Sequence, residues 1–194
     1  MPAPFEVLTV VYSVSSLRTG RTSLPTDERP AARRPSLHVL AADPADVVWS
    51  AGGLIFDRVR LGWRVTVLIP DGALTRSLRI LGAETAELHA SPTPIGEPCT
   101  ALIVSAQLYA DDQLVRLEVD TASNTKTTEV LVWGQRSVLD DDRLVSHRLT
   151  SAAFAFKRQA LLAAAVGSQQ PESTEQFHPR CGLDVLAREL DVAG

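Results

Sequence analysis

Cysteine is scarce in this sequence, with only Cys99 and Cys181 among 194 residues. Two cysteines are too few for a disulfide framework, and their spacing is not that of a metal-binding pair, so we expect a reducing, cytoplasmic compartment. The chain also lacks any run of about 18 apolar residues, which predicts no membrane-spanning helix. The apolar stretch 7–14 follows an acidic residue and no basic segment, so we expect no signal peptide.

Positive charge is also in short supply. Arginine and lysine total 19 against 23 acids, and the formal net charge is −4. A negative balance gives no general attraction to nucleic acid or to an anionic membrane, so we expect neither as a partner. The length suits a single domain with a sizeable core.

Two regions of different composition divide the chain. Residues 1–36 contain an apolar, β-branched stretch, Phe5–Val14, followed by a segment rich in Arg, Ser, Thr and Pro. We expect an N-terminal strand and a flexible linker there, and the strand could serve as an edge or a dimer contact, which leaves a homo-oligomer open. Residues 37–194 are expected to form one α/β domain.

A β-α-β pattern opens this domain. Leu37–Ala42 has the length of a buried strand, and from Val47 the apolar residues recur every three or four positions, as on one face of a helix. Asp46 stands where a carboxylate can cap that helix, and Gly62 can end it. Arg64–Pro70 alternates as a second strand. The pattern predicts a Rossmann-like three-layer sandwich with a mostly parallel sheet and helices on both faces.

Ligands of parallel sheets bind beyond the carboxyl ends of the strands, so the loops at 43–46 and 71–72 should share one rim. Asp71 is therefore a candidate substrate-binding residue, as is Trp49, which lies on the same helix as Asp46. We expect Gly52 to allow a close approach of this helix to the sheet, because a side chain there would push the helix away.

Further elements follow from the same signals. A helix capped by Thr150 or Ser151 and ended by Gly167 is the clearest of them, whereas Val115, Leu117 and Val119 alternate like a strand. The other predicted elements are a helix at 74–82, strands at 85–90, 101–106 and 127–133, an ambiguous segment at 143–149, and a helix at 183–190.

The first loop and helix carry a family resemblance. Aligned on Gly52-Gly53, the stretch from Ala42 to Asp46 resembles the Pro-His-x-Asp-Asp motif of the PIG-L/LmbE deacetylases, which use zinc to remove acyl groups from amino sugars and related metabolites. On this alignment the family's ligand histidine falls on Asp43 and its catalytic-base aspartate on Ala45. The family's ligand aspartate is retained as Asp46.

A second stretch resembles the family's other metal motif, His-x-Asp-His. The family's transition-state-stabilising histidine falls on Tyr109, and its last zinc ligand falls on Asp112. The resemblance extends from about Leu37 to Phe177 and includes Lys157, at a position where the family commonly has lysine.

The resemblance therefore implies a ligand set of Asp43, Asp46 and Asp112 without imidazole. Zinc favours nitrogen and sulfur donors, whereas oxygen donors suit Mg²⁺, Ca²⁺ or Mn²⁺, so we expect no zinc cofactor and leave a weakly bound divalent cation open. Without a cation, two carboxylates ~4 Å apart repel each other by about 4 kcal/mol at an effective dielectric constant of about 20. Loss of the base at Ala45 should lower the rate by roughly 10²–10⁴.

Three functions fit this pattern. The first is a non-hydrolytic enzyme of small-molecule, secondary-metabolite biosynthesis, with Asp43, Asp46, Asp112 and Tyr109 as acid–base groups and His147 as a further substrate-binding residue. The second is a metal-dependent N-acyl amino-sugar deacetylase or amidase. The third is a non-catalytic protein that binds a metabolite or a partner. Structural roles are also open: capping for Asp46 and for Asp112, and packing for Tyr109.

Overall fold

The computed structural model describes residues 34–70, 73, 75–89, 99–125, 127–134, 143–165, 170–181 and 191–192. The predicted strand at 5–14, the candidate Asp71 and the predicted helix at 183–190 lie outside these residues. Within them, no helix is long and apolar enough to cross a membrane. The helix that begins at Ser151 ends at Ala163, with Ala164 as its C-cap, so the prediction of an end at Gly167 was wrong.

Eight strands form one sheet in the described part of the chain, in the order β3-β2-β1-β4-β5-β7-β6-β8. The strands are β1 (Ser36–Leu40), β2 (Arg64–Ile69), β3 (Glu84–Glu87), β4 (Ala101–Ser105), β5 (Glu129–Trp133), β6 (Val145–Arg148), β7 (Thr174–Cys181) and β8 (Asp191–Val192). Strands β3, β2, β1, β4 and β5 pair in parallel, whereas β7 pairs antiparallel with β5 and β6, and β8 pairs antiparallel with β6.

Helices cover both faces of this sheet. They are α1 (Pro44–Arg60), α2 (Arg76–Ile80), α3 (Ala106–Asp111), α4 (Gln113–Thr125) and α5 (Ser151–Ala163). Side chains of α1, α2 and α5 share one apolar core with alternate strand residues such as Leu37 and Val39, and those of α3 and α4 share another with Leu40. Neighbouring positions of one strand thus enter different cores, because successive side chains of a strand point to opposite faces. The predicted three-layer α/β sandwich with a mostly parallel sheet is confirmed.

Helix α1 begins at a different residue from the one predicted. Asp43 is its N-cap, with the backbone N–H of Ala45 donating to the Asp43 carboxylate over 2.9 Å, and Pro44 occupies the first turn. Proline suits that position because its fixed φ matches the helix and the missing N–H would have no intrahelical partner. Asp46 is therefore a first-turn residue whose side chain is available for other contacts, and the prediction of Asp46 as the cap was wrong. At the other end, Gly62 has a φ of +86°, as expected for a helix stop.

The strand-like alternation around Val115 was misleading, because this segment is helix α4. Val115 and Val119 are fully buried, whereas Leu117 is 64% exposed. Apolar residues four positions apart lie on the same side of a helix, so only this pair contributes to the core.

Gly53, and not Gly52, is the position where α1 has no room for a side chain. A Cβ on Gly53 would lie 2.3 Å from Cγ of Leu149, whereas a Cβ on Gly52 would be 3.4 Å from its nearest neighbours, Leu81 and Lys157, which is an ordinary contact distance. Gly52 thus faces α5 and the end of α2. The expectation that Gly52 marks close packing against the sheet was wrong.

Candidate functional site

A cleft of about 470 Å³ lies at the carboxyl ends of the parallel strands, and we call it the rim cleft. It is lined by Ala42, Asp43, Asp46, Ser50, Ser105, Ala106, Gln107, Ala110, Trp133 and Gly134. The chain leaves β1 for β2 on one side and runs from β4 to β5 on the other, so the strand order reverses between β1 and β4. This reversal is the topological switch point where open α/β sheets bind their ligands.

Asp46 is the most firmly oriented carboxylate in the rim cleft. The Ser50 hydroxyl donates to its Oδ1 over 3.0 Å, and the indole Nε1–H of Trp133 donates to its Oδ2 over 3.0 Å. Ser50 follows one helical turn after Asp46, whereas Trp133 comes from the end of β5. Each oxygen therefore has one fixed donor and keeps further lone pairs for a ligand.

Gly134 shapes the floor of the same cleft. Its φ of +111° lies in the region that favours glycine, and a Cβ there would come within 3.2 Å of the Ala106 side chain. A side chain at position 134 would therefore meet the first residue of α3. Ser105 supports this floor by capping α3, since the backbone N–H of Leu108 donates to its hydroxyl oxygen over 3.1 Å.

A smaller pocket of about 140 Å³ adjoins the rim cleft, with Ser50, Trp133 and Gly134 shared between them. Trp49 lines this pocket, and its predicted role in substrate binding stays a prediction. Lys157 and Glu175 line it from α5 and β7.

Lys157 and Glu175 form a buried ion pair, with Nζ and Oε1 2.6 Å apart and side-chain exposures of 2% and 1%. The Glu175 carboxylate also accepts the backbone N–H groups of Gly53 and Leu54, over 2.7 and 2.8 Å. Its charge is thus balanced by one cation and two backbone dipoles, as a buried carboxylate requires. The pair therefore links α1, α5 and β7 at the wall of the smaller pocket.

Asp112 does not line the rim cleft. Its carboxylate caps α4 by accepting the N–H groups of Leu114 and Val115, and it pairs with His89 at 2.8 Å. Burial acts to raise the Asp112 pKa, but the hydrogen bonds from Val115 and His89 outweigh burial, so the pKa lies below its ordinary value.

Tyr109 also lies outside the rim cleft, in the core beneath α4. Its hydroxyl donates to Asp120 over 2.8 Å, and the guanidinium groups of Arg180 and Arg116 lie over its ring, 4.6 and 5.8 Å from the centroid. These contacts occupy both the polar end and the face of the ring. The described structure therefore brings Asp43 and Asp46 together in one cleft and places Asp112 and Tyr109 elsewhere.

His147 lines a different cavity, at the far end of α1. Its Nε2 lies 3.0 Å from Oδ2 of Asp57, and the Thr150 hydroxyl donates to Oδ1 of Asp57 over 2.7 Å. Burial lowers the pKa of His147, and the carboxylates of Glu175 and Asp57 offset only part of that effect. Eleven residues separate Asp46 from Asp57 on α1, or about 16 Å along the axis, so His147 is remote from the rim cleft.

Ser50, Trp133 and the Lys157–Glu175 pair were not identified as site residues from the sequence. Trp133 had a recognisable signal, because it ends a buried strand and is followed by glycine at the rim of the predicted sheet. Glu175 had no such signal, because nothing in the sequence indicates that β7 lies next to the middle of α1.

Comparison with known proteins supports this architecture. No protein-family model matches the sequence, and no curated protein sequence matches it significantly. Solved structures do match: the zinc-inhibited form of the teicoplanin deacetylase Orf2 has a TM-score of 0.52 at 12% identity, with 74% of this chain and 97% of that chain covered.

Two further solved structures resemble the chain to a similar degree. The A40926 pseudoaglycone deacetylase Dbv21 has a TM-score of 0.51 at 14% identity, over 76% of this chain and 97% of that chain. GalB, the 4-carboxy-2-hydroxymuconate hydratase of Pseudomonas putida, has a TM-score of 0.50 at 13% identity, over 75% of this chain and 95% of that chain. The chain thus has a divergent PIG-L/LmbE-like fold.

The described residues do not fit the zinc ion that this fold implies. Among them, no three His, Cys, Asp or Glu side chains stand together as a metal-binding group. The three carboxylates at the aligned ligand positions have separate hydrogen-bond partners: Asp46 has Trp133, Asp112 has His89, and Asp43 has the backbone of α1. We therefore assign no chemical step to a metal.

Proposed function

We propose that this protein is a PIG-L-fold enzyme that converts a small polar metabolite without hydrolysing an amide, with Asp46 in the rim cleft as the acid–base group. One observation carries the proposal: a carboxylate at the topological switch point is held from both sides by Trp133 and Ser50. Fixed donors on each oxygen preorganise a carboxylate, so little reorganisation is needed when it accepts or returns a proton.

Addition of water to a conjugated double bond is a reaction that such a site can perform. A base accepts a proton from water while the water oxygen attacks the β-carbon, and the α-carbon then takes up a proton. Water is therefore the sole co-reactant, and no redox partner is needed. Asp46 supplies the base in this scheme, while Asp43 and Gln107 line the wall where a polar substrate would lie. A hydratase and two deacetylases are among the proteins of similar fold, so the fold is compatible with more than amide hydrolysis.

The remaining predicted acid–base groups have structural roles in this proposal. Asp112 caps α4, and Tyr109 packs against the guanidinium groups of Arg116 in α4 and Arg180 in β7, so neither needs to contact the substrate. Asp43 keeps a capping role and also adds negative charge to the rim cleft.

A two-substrate assay tests the proposal. The purified protein is incubated with 4-carboxy-2-hydroxymuconate, followed by loss of conjugated absorbance, and with an N-acetylglucosamine glycoside, followed by amine release. We expect conversion of the unsaturated acid and no amine release. Asp46→Asn should reduce turnover by roughly 10²–10⁴, while the exposed Glu84→Gln serves as a matched control with unchanged turnover.

Two other outcomes would each favour one of the alternatives. Amine release that depends on one zinc per chain, measured by elemental analysis of the same sample, would establish a deacetylase. Saturable binding of either compound with no turnover, and no effect of Asp46→Asn beyond affinity, would establish a non-catalytic binding protein.

A further inference from the structure

The cavity at the far end of α1 is large and independent of the rim cleft. It has a volume of about 560 Å³, is open to solvent on one side and is lined by Arg58, Arg60 and Arg148 together with Asp57 and His147, and we call it the arginine cavity. Arg58 and Arg60 lie in the last turn of α1, whereas Arg148 ends β6. Two separate elements thus bring three arginines to one cavity, where Arg58 is 2% exposed with its guanidinium over the Trp63 ring and the other two are exposed.

The electrostatic balance of the arginine cavity is positive, although the chain as a whole is negative. The Asp57 carboxylate accepts hydrogen bonds from the Thr150 hydroxyl and backbone, and it contacts His147, so each of its oxygens already has a partner. Because burial lowers the pKa of His147, this ring adds little charge near neutral pH. Arg60 and Arg148, both exposed, remain charged at any physiological pH and outnumber Asp57, the acid in the lining.

The beginning of α5 adds to this potential. Thr150, the N-cap of α5, and Ala152 in its first turn both line the cavity, so the positive end of the helix dipole faces the same space. Pairing with the negative end of the α1 dipole explains cations at Arg58 and Arg60, but it does not explain Arg148 on a different element.

Part of the wall is apolar. Phe56, which is 7% exposed, and Leu61, which is 64% exposed, line the cavity beside the arginines. The Phe56 ring is held in place by Phe156, with ring centroids 4.5 Å apart. A rigid aromatic surface next to forked cationic donors matches a ligand with an apolar body and an anionic head.

We propose that the arginine cavity is a second ligand site, which binds a small metabolite carrying a phosphate or carboxylate group on an apolar, planar body. Arg60 and Arg148, both exposed at the mouth, contact the anion, and Phe56 packs against the body of the ligand. This site is separate from the chemistry proposed for the rim cleft and does not depend on it.

Calorimetric titration of the full chain with phenyl phosphate tests the proposal. We expect saturable binding with one site per chain and a Kd of roughly 1 mM or tighter, weakened at higher salt. Arg60→Gln and Arg148→Gln should each weaken binding by about tenfold, since a hydrogen bond between charged groups is lost in each. Arg158→Gln, an exposed arginine of α5 that does not line the cavity, is the matched control and should bind as the unaltered protein does.

Three results would overturn the proposal. The first is the absence of saturable binding, and the second is binding of phenyl phosphate by Arg60→Gln and Arg148→Gln as tight as that of the unaltered protein. The third is an affinity for inorganic phosphate equal to that for phenyl phosphate, which would remove the role of the apolar wall. Asp46→Asn should leave phenyl phosphate binding unchanged, so the test is independent of the activity proposed for the rim cleft. Circular dichroism of each variant shows whether it has folded.

Discussion

The two ends of α1 present opposite chemistry. At its first turn, Asp46 opens into the rim cleft with two side-chain donors and free lone pairs. Near its last turn, Asp57 is hydrogen-bonded to Thr150 and contacts His147, and the exposed charged groups are Arg60 and Arg148. Both arrangements follow the helix dipole, which favours acids at the amino end and cations at the carboxyl end. The comparison shows that the two ends of one helix can carry sites of opposite charge, each of the sign that the helix dipole favours.

Between these two ends, the Lys157–Glu175 pair holds α1 in place, and removing one charge should have the largest effect on stability. Lys157→Met leaves the Glu175 carboxylate buried without its cation, which should cost about 3–5 kcal/mol in the free energy of unfolding. Urea denaturation measures this change. Loss of the pair removes the contact that fixes the middle of α1, so both ends of the helix can shift. We therefore also expect the variant to bind ligands poorly in the rim cleft and in the arginine cavity.

The double variant Lys157→Met/Glu175→Gln is the control for this prediction. It has no uncompensated charge, so its loss of stability should be smaller than the sum of the two single losses. Strictly additive losses would show that the pair does not act as a unit.

The next largest effect concerns the two adjacent glycines of α1. Gly53→Ala places a methyl group against Leu149, and the overpacking should cost about 1–3 kcal/mol. Gly52→Ala meets only ordinary contact distances, so the higher helix propensity of alanine should stabilise the protein by up to about 1 kcal/mol. Thermal unfolding of the two variants side by side gives the comparison, and equal melting temperatures would contradict it.

A smaller effect distinguishes the capping carboxylate from the rim carboxylate. Asp112→Ala removes the N-cap of α4 and should destabilise the protein by about 1 kcal/mol while leaving turnover in the rim cleft unchanged. Asp46→Asn should lose turnover with little loss of stability. Unfolding and turnover are measured on both variants, and a loss of turnover in Asp112→Ala on a par with Asp46→Asn would restore Asp112 as an acid–base group.

The smallest effect is a pH dependence at the far end of α1. The pKa of His147 in the folded protein lies below its ordinary value of 6.5. Between these two pKa values the unfolded chain binds more protons than the folded chain, so stability falls as the pH drops below 6.5. Urea denaturation over about pH 5–8 should show this slope, and His147→Gln should reduce it.

Arg148→Gln, a neighbour on the same strand, is the matched control because it keeps the histidine. It should retain the slope. An undiminished slope in His147→Gln would assign the pH dependence to another group.

Much of the fold was predictable because local signals agreed with the tertiary structure. The apolar runs at 37–42 and 64–70, the helical spacing after Val47 and the glycine at 62 all reflect a parallel sheet that is buried on both faces. Such strands and helices are specified by their own periodicity. The prediction for the start of α1 failed because Pro44 allows the helix to begin before its apolar face does, and the prediction for residues 115–119 failed because the exposed Leu117 imitates the alternation of a strand.

The sequence by itself determined the α/β architecture and the presence of Asp43 and Asp46 at the rim, because both follow from strand and helix periodicity along the chain. Only the tertiary structure decided which carboxylates share a cleft. Contacts between residues far apart in sequence, Asp46 with Trp133, Asp57 with His147 and Gly53 with Glu175, depend on how strands order in the sheet. No local pattern encodes that order, because side chains of any spacing can meet once the sheet brings their strands together.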